Sequence, residues 1–466
     1  MIPSQNLKEV SKELSGEARE FMEANPGIAA VDVLIPDSRG VLRGKRIPVA
    51  GLPKVYTEGC AFPGSIYAFD ITGATIEETG LAWDEGDADR PCLPLPGTLQ
   101  RVPWLKNPTG QLMLEMRDHD GSPYFAAPRA QCARMAANLK NLGYTPVVAV
   151  ELEFYLLDSD WGPEDRPRPP LSPTSGVRQS TTQVYGMNEL YDFDHVLSEI
   201  HDTALTQAIP ADTAVAEYGP GQCEINLRHT PDAVKAADDA ILFKRVVRGV
   251  AARHKLDATF MAKPYPNHAG SGMHVHMSLL DADGRNVFEA DDQNPEGSPL
   301  LRHAVGGLRA AMADSMALFA PNANSFRRFQ KESYAPCAPT WGINNRTTAI
   351  RIPVGPPGSK RLEHRVAGAD ADPYLVVAAL LAGIHHGLTG KIDPGAPLVG
   401  NAYVQAPASL PRTWMGALET FERSDLMRAY FGERFMQVFL ATKWAERDKF
   451  FAYVSPLEYE WYLRTA

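Results

Sequence analysis

The segment Val147–Leu157, reading VVAVELEFYLL, constrains this chain more than any other. Its aliphatic and aromatic side chains favour an extended strand buried on at least one side. Side chains alternate along a strand, so Glu151 and Glu153 share one face. Two neighbouring carboxylates in an apolar setting repel each other, and each is costly to desolvate. Either that face is solvated and its acids pair with Lys or Arg, or it holds a cation.

Three later segments bear on the choice. AEYGPGQCEINL sets Glu217 and Glu224 on either side of a turn-prone GPGQ. GSGMHVHMSL carries His274, His276 and Ser278 in alternation, hence on one strand face. RLEHRV carries Glu363 between Arg361 and Arg365. A lone strand histidine is most simply a packed core residue, and His385 and His386, on an apolar helix, are read that way. Glutamates at 151, 153, 217, 224 and 363, together with a histidine, exceed what ion pairing readily explains. Oxygen donors with one imidazole suit Mg²⁺ or Mn²⁺, whereas Zn²⁺ favours more His or Cys.

There is no Walker A sequence, and the GSG at Gly270–Gly272 is not the dinucleotide fingerprint. Phosphates would then be held by cations and arginines. SFRRF supplies Arg327 and Arg328, and NNRTTAIRIP supplies Arg346 and Arg351, ahead of Arg361 and Arg365. A guanidinium fork grips phosphate and carboxylate bidentately.

With 466 residues the chain is expected to build more than one core. A hydrophobic share of 44% and a charged share of 22% are those of ordinary globular proteins. The net charge of −10 argues against a dedicated nucleic-acid binder. Five scattered cysteines without a C-x-x-C pair make no disulfide framework. The charged start lacks an apolar signal core, and Tyr374–Ile384 is too short to span a bilayer and reads as a buried helix. A cytoplasmic protein is expected.

Leu7–Glu23 reads as a helix and Ile28–Val49 as a hairpin around PDSRG, opening a small β-rich domain over residues 1–125. In residues 126–466, helix-like stretches at Phe193–Gln207, Pro231–His254, Leu300–Leu318 and Pro373–His386 alternate with strands through to the C-terminus. Asp158–Gly186, rich in Pro, Ser and Thr, reads as a long surface loop.

Taken together, ExE, ExxPGQxE, GSGMHxH, NRTxxxRIP and RxExRxxGADAxPYL resemble the glutamine synthetase superfamily in order and spacing, from about Ala30 to the end. VDVLIPDSRGVLRGKRIPV, PVVAVELEFYLLD and RVAGADADPYLV look most like its gamma-glutamylputrescine synthetase branch. The resemblance implies an α+β fold. A small β-grasp domain would precede a catalytic domain with a curved antiparallel sheet and surrounding helices. It also implies a dodecamer of two hexameric rings, each site completed by a neighbour's N-terminal domain.

The implied reaction uses ATP and two or three Mg²⁺ (or Mn²⁺) ions to join the γ-carboxylate of glutamate to an amine through γ-glutamyl phosphate. By matching position, Glu153, Glu217 and Glu224 would hold one metal, and Glu151, His274 and Glu363 the other. His276, Ser278, Arg351 and Arg361 would contact ATP, and Arg346 the phosphoryl group. Arg328 and Arg365, beside Gly270, would grip glutamate. Asp70, with Asp89 as its acidic companion, would bind and deprotonate the amine from across a subunit interface.

Two departures stand out. Ammonia users carry a flap glutamate just before Ala-Pro, where this chain has Tyr334 with Glu332 two residues earlier. The residues before GSGMH read NHA, where ammonia users carry Asn directly before the Gly. Both changes fall at the amine and glutamate end and point to a changed amine, while the branch resemblance implies putrescine or a related polyamine, with a role in polyamine catabolism. The alternatives are glutamine synthesis from ammonia, ligation to ethanolamine or a monoalkylamine, and a non-catalytic regulator that binds glutamate or ATP. Tyr403, in GNAY, reads as an ordinary loop tyrosine.

Overall fold

In the computed structural model, which describes residues 16–84, 86–162, 166–181 and 183–466, PDSRG closes a hairpin of β1 (Ala30–Pro36) and β2 (Leu42–Pro48). Asp37 Oδ1 accepts the backbone N–H groups of Arg39 and Val41 at 2.9 and 3.0 Å, which closes the turn locally. Gly40 sits there at φ 75°, a conformation that glycine alone adopts freely. Residues 16–24 are helical, and the earlier part of the expected Leu7–Glu23 helix lies outside the described residues.

The first sheet continues with β3 (Cys60–Pro63), β4 (Asp89–Pro94), β5 (Gln100–Arg101) and β6 (Thr109–Met116). Its order is β2-β1-β6-β4-β3, with β5 also on β6. β1 and β6 run parallel and the other pairs antiparallel. Val31, Val33 and Ile35 point from β1 into a core with Leu112, Leu114 and Met116 of β6. Val438, far away in sequence, joins that core from the helix Glu433–Ala452.

The second sheet comprises β7 (Thr145–Asp158), β8 (Ala211–Ala216), β9 (Gln222–Leu227), β10 (Leu256–Thr259), β11 (Met273–Leu280), β12 (Trp341–Ile343), β13 (Ile350–Ile352) and β14 (Leu362–His364). Its order is β12-β13-β14-β11-β7-β9-β8, with β10 on the far end of β7. Only the short edge pair β12–β13 is parallel. β7 is the axis of the sheet. Leu152, Phe154 and Leu156 point into the main core while Glu151 and Glu153 point the other way.

Helices pack behind this sheet. Pro373–Gly390 is apolar enough by composition to cross a membrane, but 78% of it is buried within the protein, as a core helix should be. It lies against Pro299–Ala311 at very close range. A Cβ at Gly307 would come 2.1 Å from the Gly383 carbonyl oxygen, so only glycine permits the contact.

Two expectations are corrected. The stretch Leu300–Leu318 is broken into Pro299–Ala311 and Met316–Phe319. Ser315 bonds back to the Ala311 carbonyl at the break, a contact that competes with helix continuation. Helices and strands also do not alternate to the C-terminus. Beyond β14 the described residues form helices alone, among them Trp414–Arg423, Asp425–Phe431 and Glu433–Ala452. Their apolar faces cover the remaining core with Trp414, Phe421, Phe431 and Phe439.

Candidate active site

The acidic residues meet because of strand register. His274 on β11 lies opposite Glu151 on β7, and Glu151 lies opposite Asn226 on β9. One step along, Glu153 faces Glu224. On the other flank, His276 faces Glu363 on β14, which faces Arg351 on β13. Cross-strand neighbours stand about 5 Å apart, so the register turns dispersed motifs into one row of charges. These side chains line a cleft of about 650 Å³. Glu151, Glu153, Glu217, Glu224, His274, Gly270, Arg328, Glu332, Tyr334, Arg346, Arg351, Glu363 and Arg365 all border it.

Within the cleft, Glu363 is 1% exposed and clasped by two guanidinium groups. Arg351 Nη1 donates to Oε2 at 2.6 Å, and Arg365 Nη1 donates to Oε1. Burial would raise the Glu363 carboxyl, but Arg365, His276 and His274 outweigh it and hold it at about 2. Glu151 is likewise pulled far down against its burial, by hydrogen bonds from His274 and His276. Arg361 Nε donates to His276 Nδ1 at 3.1 Å, and His276 Nε2 lies 2.8 Å from Glu151 Oε1. His276 is thereby committed to orienting Glu151.

The opposite side of the cleft is electrostatically different. Burial, then repulsion from Glu151, Glu153 and Glu217, pushes the Glu224 carboxyl up to about 10. Burial and Glu153 push Glu217 up to about 7. Carboxylates crowded this way call for positive charge, and the nearest ligand atoms of Glu151, Glu224 and His274 lie within 4.8 Å of one another. Oxygen donors with one imidazole fit Mg²⁺ or Mn²⁺. Glu151, His276 and Glu363 are equally close, with Glu363 also held by Arg351 and Arg365 and His276 by Arg361.

Arg328 is buried beneath Gly270, and Nη1 donates to the Val366 carbonyl at 3.1 Å. A Cβ at Gly270 would meet Arg328 Cγ at 2.6 Å and the Ala262 oxygen at 2.8 Å, so glycine there lets the arginine reach the cleft. Arg346 Nη1 donates to the Tyr185 hydroxyl at 3.1 Å. Ser278 and Arg361 border a second hollow of about 390 Å³. His276 links a residue of each space, its ring touching Arg361 through one nitrogen and Glu151 through the other.

Asp70 and Asp89 border neither space. Asp89 is exposed at the start of β4. Asp70 is fully buried, its Oδ1 accepting from Thr72 and Ala74 and its Oδ2 from Lys449 of the C-terminal helix Glu433–Ala452. Burial opposes ionisation, yet Lys449 and Thr72 hold this carboxyl at about 2, which makes it a weak base within its own chain.

Several contributors carried no signal in the sequence. Gln222, read only as part of a turn, reaches Glu153 Oε2 at 3.4 Å and the Gly270 carbonyl at 3.1 Å. The Gly272 backbone N–H donates to Glu153 Oε2 at 2.8 Å. Tyr403 lies in the short helix Ala402–Gln405 rather than in a loop, and its hydroxyl donates to the Ala335 carbonyl at 3.0 Å beside the cleft. Tyr218, with no obvious chemistry of its own, stacks on Tyr334.

Residues 125–462 match the glutamine synthetase catalytic domain. The chain is 45% identical to gamma-glutamylputrescine synthetase PuuA of Escherichia coli (strain K12), over 100% of this chain and 99% of that one. It is 34% identical to gamma-glutamylethanolamide synthetase GlnA4 of Streptomyces coelicolor, over 97% and 95% respectively. The solved structure of GmaS without ligand superposes with a TM-score of 0.80 at 28% identity, over 95% of this chain and 98% of that one. Register, cleft and relatives agree, and this chain belongs to the glutamine synthetase family.

Proposed function

We propose that this chain is an ATP-dependent ligase that joins the γ-carboxylate of glutamate to putrescine or a related polyamine through γ-glutamyl phosphate. The observation that carries the reading is a complete acid–arginine cleft whose mouth is walled by tyrosines. The E. coli relative named for gamma-glutamylputrescine synthesis supports the choice of amine.

Glu153, Glu217 and Glu224 would hold one Mg²⁺ or Mn²⁺ ion, and Glu151, His274 and Glu363 a second. When bound, such ions neutralise charge on a transferring phosphoryl group. ATP would occupy the hollow bordered by Ser278 and Arg361 and direct its γ-phosphate past His276 into the cleft. Arg328 and Arg365 would orient glutamate so that a γ-carboxylate oxygen attacks the γ-phosphorus. The new O–P bond forms as the bond to ADP breaks, and Arg346 and Arg351 offset the charge on the phosphoryl oxygens. The amine nitrogen then attacks the acyl carbon, phosphate leaves, and the nitrogen gives up a proton. Glu332 and Tyr334 stand at the mouth where that proton departs. Asp70, which does not face its own cleft, would serve the cleft of an adjacent subunit in a dodecamer.

Two experiments test this. Phosphate release with ATP, Mg²⁺ and glutamate is expected to be strong with putrescine and weak with ammonia, ethanolamine and methylamine, the product being γ-glutamylputrescine by mass. Ammonia as the best substrate would overturn the choice of amine. For the shared site, Asp70→Ala and Glu217→Gln proteins, each inactive alone, are expected to regain ligase activity when dissociated, mixed and reassembled. Lack of any recovery would confine Asp70 to a structural role in its own chain.

A further inference from the structure

We infer that the stacked rings of Tyr218 and Tyr334, with the Glu332 carboxylate, form a subsite for the second ammonium group of a diamine substrate. The inference rests on the amine-ligase reading above and locates the far end of the amine.

Tyr218 follows Glu217 in the turn between β8 and β9, and Tyr334 lies in the loop before Ala335. Their rings stack with centroids 6.0 Å apart and 28° between planes. They remain 49% and 46% exposed although both border the cleft, so ring surface is left for a ligand. Core aromatics elsewhere in the chain, such as Phe154 and Tyr374, are fully buried.

The arrangement is held in place. Glu332 and Tyr334 adopt φ of 63° and 56°, a left-handed conformation that residues with a Cβ avoid. Ser333 Oγ fixes the loop from within by donating to the Arg328 carbonyl at 2.8 Å, and Tyr403 fixes the following residue through the Ala335 carbonyl. Such strain is kept where the surrounding structure over-determines it, and it often marks a ligand clamp. Glu332 is 68% exposed on its side chain, and its ion pair with Lys331 is loose at 3.9 Å.

An alkyl diamine carries two ammonium groups at neutral pH, since primary alkylamines titrate near the lysine value of about 10.4. The attacking nitrogen must lose its proton, while the distal one keeps its charge. Aromatic faces attract an ammonium within about 6 Å, and a carboxylate beside them adds a counter-charge. A monoamine of equal length offers nothing to this subsite.

The test compares kcat/KM for putrescine and butylamine in the wild type, Tyr218→Ala, Tyr218→Phe, Tyr334→Ala and Glu332→Gln proteins. Both alanine variants are expected to lower the putrescine-to-butylamine ratio on the order of tenfold. Tyr218→Phe, which keeps the ring face, should preserve the ratio, and Glu332→Gln should lower it. A wild type that prefers putrescine, with a ratio unchanged in both alanine variants, would overturn the subsite and leave the ligase reading intact. A wild type that uses only ammonia would overturn both.

Discussion

Glu363→Ala is expected to reduce ligase activity by at least about a hundredfold and to cost about 3–5 kcal/mol of folding stability. The carboxylate is 1% exposed and is the shared partner of Arg351 and Arg365. Removing it takes from two largely buried guanidinium groups the carboxylate that both hydrogen-bond. Breaking one side of a buried ion pair is far more damaging than replacing both sides, because the orphaned charge keeps its desolvation cost. Glu363→Gln keeps the shape and part of the hydrogen bonding, so it should recover some stability while activity stays low. Thermal unfolding and the Mg²⁺ dependence of ATP turnover separate the two effects. An unfolding temperature equal to the wild type would show that the arginine clasp contributes nothing. An unchanged Mg²⁺ half-saturation would remove Glu363 from the ligand set.

The second large effect couples metal to protons. Mg²⁺ binding to the metal-free protein should release protons and strengthen by roughly tenfold per pH unit between pH 7 and 10. Glu224, raised to about 10, is protonated across most of that range and must lose its proton to coordinate. Glu217, raised to about 7, adds a second proton below neutrality. The sign for folding follows. A carboxyl raised in the folded state binds its proton more tightly than in the unfolded chain. Its contribution is therefore favourable at low pH and is lost as pH climbs from the unfolded value through 7 for Glu217 and 10 for Glu224. Glu363, lowered to about 2, behaves oppositely and loses its contribution only in acid. Metal-free protein should thus unfold at lower temperature at pH 9 than at pH 6, and Mg²⁺ should close most of the gap. Calorimetry in buffers of different ionisation enthalpy counts the protons. Zero release at pH 8 would mean that Glu224 is already ionised.

Local periodicity carried much of the site. The alternation of β7 set Glu151 and Glu153 on one face, and that of β11 did the same for His274 and His276. Which acid meets which base depends on register between strands distant in sequence, and no local pattern encodes it. The resemblance implied ATP contacts for Arg351 and His276, but no local pattern showed that Arg351 also engages Glu363 and His276 also engages Glu151. The attachment of Asp70 to Lys449 spans 379 residues and was equally invisible. Tyr218 carries no catalytic group, and its meaning arises only from the ring that packs on it. The helical C-terminal region escaped notice because its apolar residues cover an existing core, and a short apolar run fits a strand or a helix equally well.

The position of β7 between β9 and β11 also limits how the gene for such a chain can change length. Losing or gaining one residue within Thr145–Asp158 would exchange its two faces beyond that point. Leu152 and Phe154, now without solvent exposure, would open onto the cleft, and the acids would be driven into the apolar layer beneath. Only changes by two residues restore the alternation, and those would still slide one charge past its cross-strand partner. Length variation should therefore be confined to the loops at either end of the strand, while the strand itself varies by substitution alone.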